Sequence, residues 1–477
     1  MKVRLLLFLL VFSFVFSGSA FAEEAGNNLN PSAGTEAVPD NEVTLELSAE
    51  AAVLVDAESG KVLYAKDMHR QMYPASTTKI LTSLVLLDYF KPDTLLKVGN
   101  EIAYVPSDSS KAGHVMGESI TVENVIKGLI IPSGNDTAMV VAAAVAKKEA
   151  EDDSLEYTRS EEIFAGLMNE KAARLGARNT HFVNPHGYHN SEHYTSAYDI
   201  ALFSQEAMKN ELIAEIAAQT AFYGNGAENT LEEDSDLISQ TYSWNTHNLL
   251  ISPGGQYYYP YAKGIKTGFT DEAGNCLAAY AEKDDVKLIA VVLKDSEPGR
   301  WTDATRLFNY GFDNYSYEFI QDSGDIVAEA PLSGQDPFGS DVVEGYARQD
   351  KQLLLSDSEL KAITKETELN NDLTIIKNDK YYIKAPVAQG EEIGKVKYLL
   401  KGEVIFEDTL YAASDIEKSN IFKDLGFLLK NIPNNMNNAK GIVPVVVFIV
   451  IGLLIYYFNF YRKRRISKRR AALRRRR

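Results

Sequence analysis

The sequence predicts an α/β (α+β) domain, an antiparallel sheet with helices packed on it, followed by a small β-rich domain and a C-terminal transmembrane helix. Three observations carry this expectation. A hairpin pattern near the N-terminus leads into a block of helical periodicities, then into three strand-like runs and a closing helix, the order expected when helices cover an antiparallel sheet. Residues 314–413 then alternate Val/Ile/Leu/Tyr-rich runs with Gly, Asp and Asn turns. Gly441 to Tyr461 carries no charge and is long enough to span a bilayer.

The two ends of the 477-residue chain set its surroundings. Lys2 and Arg4, the apolar run Leu5 to Phe16 and the small-x-small site Ala20-Phe21-Ala22 read as a secretory signal peptide, residues 1–22. Residues 23–48 are rich in Glu, Asn, Pro, Ala and Gly and read as a linker. Residues 414–440, with Ile421, Leu425, Leu428 and Leu429, form a juxtamembrane amphipathic segment before the span at 441–461. The basic tail 462–477 stays in the cytoplasm, so a single-pass protein in the cell membrane exposes its main domain outside. The signal contributes +2 and the tail +11 to a net charge of −17, which leaves −30 on residues 23–440. A surface that acidic does not suit a phosphate backbone, so no nucleic-acid partner is expected. Cys276 is the sole cysteine, so an intramolecular disulfide is impossible, and its apolar neighbours mark it as a core residue.

Within residues 49–313 the elements follow in order. AAVLVDAESGKVLYAKD gives a hairpin around Glu58-Ser59-Gly60. An apolar helix, Ile80 to Phe90, follows Pro74. Val122 to Ile131 has helical periodicity and stops at Pro132; Thr137 to Lys148 resumes as an Ala-rich buried helix. Ser160 to Leu175 and Ser196 to Asn210 are further helices, whereas 221–243 reads as an acidic loop. Tyr257 to Thr267, Asn275 to Ala281 and Val286 to Lys294 are strands, the last two joined at Asp284-Asp285, and Trp301 to Gly311 is the closing helix.

Three short stretches carry chemistry. Ser76 and Lys79 lie one turn apart at the mouth of a helix, hence on one face. A serine hydroxyl needs an adjacent base to become a nucleophile, and a lysine serves only if desolvation or a nearby cation lowers its pKa. The same Ser-x-x-Lys spacing recurs at Ser358 and Lys361, so the pair alone decides nothing. Ser133-Gly134-Asn135 breaks two helices and offers a hydroxyl and an amide, although Ser-x-Asn recurs at Ser243 and Asn245. Lys266-Thr267-Gly268, expected at a strand end before the turn at Asp271, presents a cation and a hydroxyl to an anionic terminus, with Gly268 allowing close backbone approach.

In this order the three elements resemble those of the penicillin-binding proteins and serine β-lactamases. The stretches PASTTKILTSLV, IPSGNDTA, NEKAARLGARNTHFVNPHGYH, TSAYDIA, GIKTGFTDEAGNCLAA and DATRLFNYGF resemble the low-molecular-mass D-alanyl-D-alanine carboxypeptidases in particular, and YYIKAPVAQGEEIGKV resembles their β-rich C-terminal domain. The resemblance covers roughly residues 49–413 and implies a β-lactamase/transpeptidase-like catalytic domain. It implies Ser76 as nucleophile on the bond between two terminal D-alanines, Lys79 as general base and Ser133 as proton relay. Asn135 would position the substrate amide, and Lys266 and Thr267 would take the terminal carboxylate. Gly268 would leave room for the substrate, and the backbone N–H groups of Ser76 and Phe269 would form the oxyanion hole. Some relatives carry histidine where Phe269 stands. The implied partners are a peptidoglycan stem peptide ending in D-Ala-D-Ala, β-lactams as covalent inhibitors, and the membrane through the C-terminal helix. No cofactor or metal is implied.

Three rivals bear on the same residues. A serine β-lactamase of one class needs a placed glutamate, and no Glu-x-x-Leu-Asn lies between Ser133 and Lys266. A zinc peptidase could use His181, His186, His189 and His193, but Asn184-Pro185 marks this stretch as a loop and not as a helix that would present a His-x-x-x-His face. A penicillin sensor would need a cytoplasmic effector, and only a short basic tail follows the span.

Overall fold

The computed structural model describes residues 44–228, 238–334 and 340–419, together with 451–452 and 455–458. These divide into two compact units between Ser316 and Tyr317.

The first unit is organised on a five-stranded antiparallel sheet. Its strands are β1 (Ala51–Asp56) and β2 (Val62–Lys66), then α1 (Lys79–Tyr89), β3 (Leu95–Lys97), β4 (Ser119–Thr121), α2 (Val122–Ile130) and α3 (Asn135–Ala150) intervene. α4 (Tyr157–Arg174), α5 (Ala197–Met208), α6 (Glu211–Ala217), β5 (Ala221–Asn225) and β6 (Thr241–Asn245) follow. The sheet is completed by β7 (Ala262–Thr270), β8 (Gly274–Lys283) and β9 (Val286–Asp295), and α7 (Gly299–Asn314) closes the unit. The order is β2-β1-β9-β8-β7, so β7 is an edge strand.

Alternation along the strands gives the sheet two buried faces. Val53, Val55, Ile289, Val291 and Leu293 join the core made by α1 to α5. On the other face, Gly311 of α7 lies so close to Leu288 and Leu54 that a methyl there would meet both side chains. α7 presents Trp301, Ala304, Leu307, Phe308 and Gly311 inward, the spacing of an amphipathic helix. α1 is buried from Lys79 to Leu86 and is the central helix of the core, which is why no polar face shows in its sequence.

Several expectations need correction. Residues 221–243 are not wholly loop: β5 and β6 pair as a hairpin, Phe222 opposite Trp244, with Tyr242 and Trp244 buried. The acidic run that suggested a loop lies in the connection, whose residues 229–237 are outside the described ones. The helix expected to reach Asn210 stops at Met208, and Asn210 caps α6 by accepting from the Ile213 N–H. Lys266-Thr267-Gly268 is not a strand end; β7 starts later, at Ala262, and runs on to Thr270.

The second unit is β-rich. It contains β10 (Ser316–Gln321), β11 (Ile326–Ser333), β12 (Val342–Tyr346), β13 (Lys351–Leu355), α8 (Asp357–Ala362), β14 (Thr364–Leu369), β15 (Thr374–Lys377), β16 (Lys380–Lys384), β17 (Glu392–Leu400) and β18 (Glu403–Ala412). Seven of these form one sheet, β14-β17-β18-β12-β11-β16-β15, with Leu332, Val343, Ile383, Val396 and Leu410 in its core. The buried Tyr398 hydroxyl donates to Gln321, whose amide donates to Asp408, so the polar groups inside this core are paired.

The expected signal peptide lies outside the described residues, as does most of the expected span and of the juxtamembrane segment. Among the described residues no helix is long and apolar enough to cross a membrane.

Candidate active site

The turn that carries Ser76 is built before the helix begins. Ala75 has φ +47, and the turn Ala75–Thr78 is a single 3₁₀ turn that leads into α1. Two hydroxyls tie it back on itself: Thr77 Oγ1 donates to the Pro74 carbonyl and Thr78 Oγ1 to the Ala75 carbonyl, each at 2.8 Å. Ser76 is thereby half-buried at the helix mouth and Lys79 is fully buried one turn on.

Lys79 Nζ lies 2.8 Å from Ser76 Oγ, 2.7 Å from Asn135 Oδ1 and 3.0 Å from the His186 carbonyl oxygen. Burial holds its pKa well below the usual lysine value, and the Lys266 charge pushes the same way against Asp136. A neutral amine has two hydrogens and one lone pair. Asn135 Oδ1 and the His186 carbonyl can only accept, so they take both hydrogens and leave the lone pair facing the Ser76 hydroxyl.

Ser133 and Asn135 occupy the break between α2 and α3. Ser133 has φ +61 and is buried, and Asn135 is the first residue of α3. Ser110 clasps this turn from an adjacent loop: its hydroxyl donates to the Ser133 carbonyl at 2.8 Å, and its carbonyl accepts the Asn135 N–H at 2.9 Å. Asp136 fixes that loop by accepting the N–H groups of Ala112 and Gly113 at 2.8 and 2.7 Å. Among the described residues, no hydrogen bond joins the Ser133 hydroxyl to Ser76, Lys79 or Lys266.

The edge strand β7 forms the opposite wall. A Cβ on Gly268 would come within 3.0 Å of Ala75 Cβ and the Ser76 nitrogen and 2.9 Å of the Pro74 carbonyl, so only glycine lets this strand lie against the turn that carries Ser76. Lys266 is buried and donates to the Thr267 carbonyl at 3.0 Å; burial, then Arg300, lowers its pKa to about 7. Thr267 is buried, whereas the Phe269 side chain is 58% exposed, so Phe269 offers the site its backbone alone. Arg300, at the start of α7, donates to the Gly268 carbonyl at 3.4 Å and to Glu297 at 2.9 Å. The His247 pKa is lowered by burial and then by the neighbouring Lys266, Arg300 and Lys79.

The structure therefore brings Ser76, Lys79 and Asn135 into direct contact and lays Lys266-Thr267-Gly268 beside them. Ser133 adjoins through its backbone. The second copies of both motifs lie elsewhere: Ser358 and Lys361 are on α8, and Ser243 and Asn245 are exposed on β6. Of the four histidines, His186 contributes its carbonyl, and its ring is kept neutral by burial, Lys79 and His193. Among the described residues no group of three or more metal-binding side chains is arranged to hold an ion. Ser110, Arg300 and the His186 carbonyl escaped sequence reasoning, since a backbone oxygen has no sequence signature and neither side chain belongs to a short motif.

A family model described as D-alanyl-D-alanine carboxypeptidase matches residues 35–297. The chain belongs to that family. A second model, the C-terminal domain of penicillin-binding protein 5, matches residues 318–418. Among relatives of the carboxypeptidase family, DacF of Bacillus subtilis is 32% identical over 412 residues, covering 85% of this chain and 92% of that one. DacA of Escherichia coli K12 is 27% identical over 387 residues, covering 79% and 86%. Of solved structures, the carboxypeptidase DacD from Francisella tularensis has a TM-score of 0.58 at 22% identity, covering 79% and 95%, which shows a shared fold. A mutant of the Streptomyces K15 DD-transpeptidase has a TM-score of 0.51 at 28% identity, covering 57% of this chain and all of that one.

Proposed function

We propose that this chain is a serine-type D-alanyl-D-alanine carboxypeptidase that removes the terminal D-alanine from peptidoglycan pentapeptide stems through an acyl-enzyme. The observation that carries the reading is the buried Lys79 amine, with two acceptor-only partners and its third contact on the Ser76 hydroxyl.

In the proposed reaction Ser76 Oγ passes its proton to Lys79 Nζ and bonds to the carbonyl carbon between the two D-alanines. The oxyanion is received by the N–H groups of Ser76 and Phe269. The C–N bond then breaks, and the departing nitrogen takes the proton from Lys79 by way of the Ser133 hydroxyl. Water attacks the Ser76 ester, and the acyl carbon leaves as the new carboxylate of a tetrapeptide stem while the serine regains its proton. Asn135 orients the substrate amide. Lys266 and Thr267 take the terminal carboxylate, with Arg300 as added positive charge; Gly268 keeps the strand close enough to serve. A β-lactam acylates the same serine and is released slowly.

The uncharged run 441–461 and the basic tail support a single-pass anchor that holds the catalytic unit outside the membrane. Extraction of the full-length chain into the soluble fraction by alkaline carbonate would refute that anchor.

The test of the reaction is fluorescent-penicillin labelling with D-alanine release from a pentapeptide, on wild type and Ser76→Ala. Both signals should vanish in the variant. Continued D-alanine release by Ser76→Ala would sink the serine mechanism, and penicillin turnover at many per second would make the chain a β-lactamase instead.

A further inference from the structure

The turn that carries Ser76 is held from outside by a residue the reaction scheme leaves unused. Ala75 has φ +47, a region that residues with a Cβ occupy only when their surroundings hold them there. The holding contact is the Thr78 hydroxyl on the Ala75 carbonyl. A hydroxyl has a single hydrogen that rotates to suit its partners.

His193 removes that choice. Its Nδ1 accepts the Val183 N–H at 3.1 Å, so the ring hydrogen sits on Nε2, which lies 2.9 Å from Thr78 Oγ1. Nε2–H therefore donates to Thr78, and the hydrogen of Thr78 is left to point at Ala75. The imidazole is buried and stacked on Phe182 at 4.6 Å between ring centres. Burial lowers its pKa to about 3, so the neutral tautomer persists. Gly187 closes in from a second side, where a side chain would strike the Ala75 carbonyl.

The Ala75 carbonyl and the Ser76 N–H belong to one planar peptide unit. Fixing the oxygen fixes the direction of the N–H, and a hydrogen bond accepted by the oxygen strengthens the one donated by the nitrogen. Taking the Ser76 N–H as an oxyanion donor, as proposed above, we infer that His193 is a positioning residue for the oxyanion hole, acting through Thr78 on the Ala75–Ser76 peptide. Its influence falls on the tetrahedral state, where negative charge develops, more than on the bound substrate.

The experiment uses the full-length chain with His193→Phe, Thr78→Val, the double variant and His193→Gln. Phenylalanine keeps the stacking on Phe182 and loses the donor; glutamine restores an N–H. Three quantities are read: the acylation rate constant with a fluorescent penicillin, the noncovalent affinity for that penicillin, and the affinity for a D-alanine boronate that mimics the tetrahedral state. His193→Phe and Thr78→Val should each lower acylation and boronate affinity by roughly tenfold, against the ~10²–10³ lost with a whole oxyanion donor. Noncovalent affinity should stay within about twofold, because a ground-state contact is not removed. The double variant should match Thr78→Val, and His193→Gln should recover most of the loss. Multiplying effects in the double variant, a change confined to noncovalent affinity, or wild-type acylation in His193→Phe would each overturn the inference. Should His193→Phe not fold, Thr78→Val decides by the same readouts. D-alanine release by a Ser76→Ala control would instead refute the underlying serine reading.

Discussion

Removing the Asn135 side-chain carbonyl should slow acylation of Ser76 without unfolding the protein. Asn135 Oδ1 takes one of the two hydrogens of the Lys79 amine at 2.7 Å, and the His186 carbonyl takes the other. In Asn135→Ala one buried N–H loses its acceptor, and the amine can turn that hydrogen toward Ser76 Oγ, which misdirects the lone pair. Leaving a buried donor without its acceptor costs about 1–3 kcal/mol, and about 1.36 kcal/mol is tenfold in rate, so acylation should fall roughly 5- to 150-fold. The rate constant for fluorescent-penicillin acylation measures this directly, with thermal melting as the control for folding. Asn135→Asp sharpens the test. A carboxylate beside Nζ favours the ammonium form and raises the Lys79 pKa, so the neutral base is lost at low pH sooner and the acid limb of the acylation profile moves to higher pH. A folded Asn135→Ala protein that acylates at the wild-type rate, or an Asn135→Asp profile whose acid limb stays put, would refute the neutral-amine argument.

Lys266, with its pKa lowered to about 7, loses charge as pH rises through that value, so kcat/KM for peptides with a free terminal carboxylate should decline above about 7 while amide-capped ligands bind evenly; equal pH profiles for both would remove Lys266 from carboxylate recognition. Gly268→Ala forces a Cβ onto the Pro74–Ser76 backbone, and overpacking of this kind costs about 1–3 kcal/mol, so both melting temperature and acylation should drop; an unaffected variant would show that β7 can retreat without consequence. Asp295 is buried beside Asp303, with the exposed Ser48 contributing its hydroxyl to both, and burial, then Asp303, raises its carboxyl to about 6. A carboxyl whose folded pKa is raised adds stability that is full below the unfolded value and lost as pH rises through about 6, so the wild-type melting temperature should fall across that window and Asp295→Asn should flatten the decline. Parallel melting curves for the two from about pH 4 to 8 would contradict it.

Much of the first unit was legible in the sequence because its signals are local. The Glu58-Ser59-Gly60 turn between two apolar runs, the stop at Pro132 and the Asp284-Asp285 turn between two further apolar runs each depend on a few adjacent residues, and β1–β2, α2 and β8–β9 follow them closely. Where local and tertiary signals compete, the reading went astray. The β5–β6 hairpin was hidden by its polar connection, although Phe222, Tyr242 and Trp244 lie on its inward face. The strand carrying Lys266 was ended too early because glycine and threonine resemble a strand end, while in the fold Gly268 is needed in mid-strand for contact with Ser76.

By itself the sequence determined the identity and order of the three motifs, and through them the family and the reaction it points to. It could not choose between Ser76/Lys79 and Ser358/Lys361 by spacing, since both pairs lie one helical turn apart. The order of the three motifs already favoured Ser76 and Lys79, and the tertiary structure supplies the surroundings that set the reactivity of an amine. Lys361 is exposed to water and Lys79 is enclosed, with acceptors contributed from 56 and 107 residues away and a second lysine from the edge strand. Desolvation and long-range charge lower an amine's pKa, and neither is a property of neighbours in sequence.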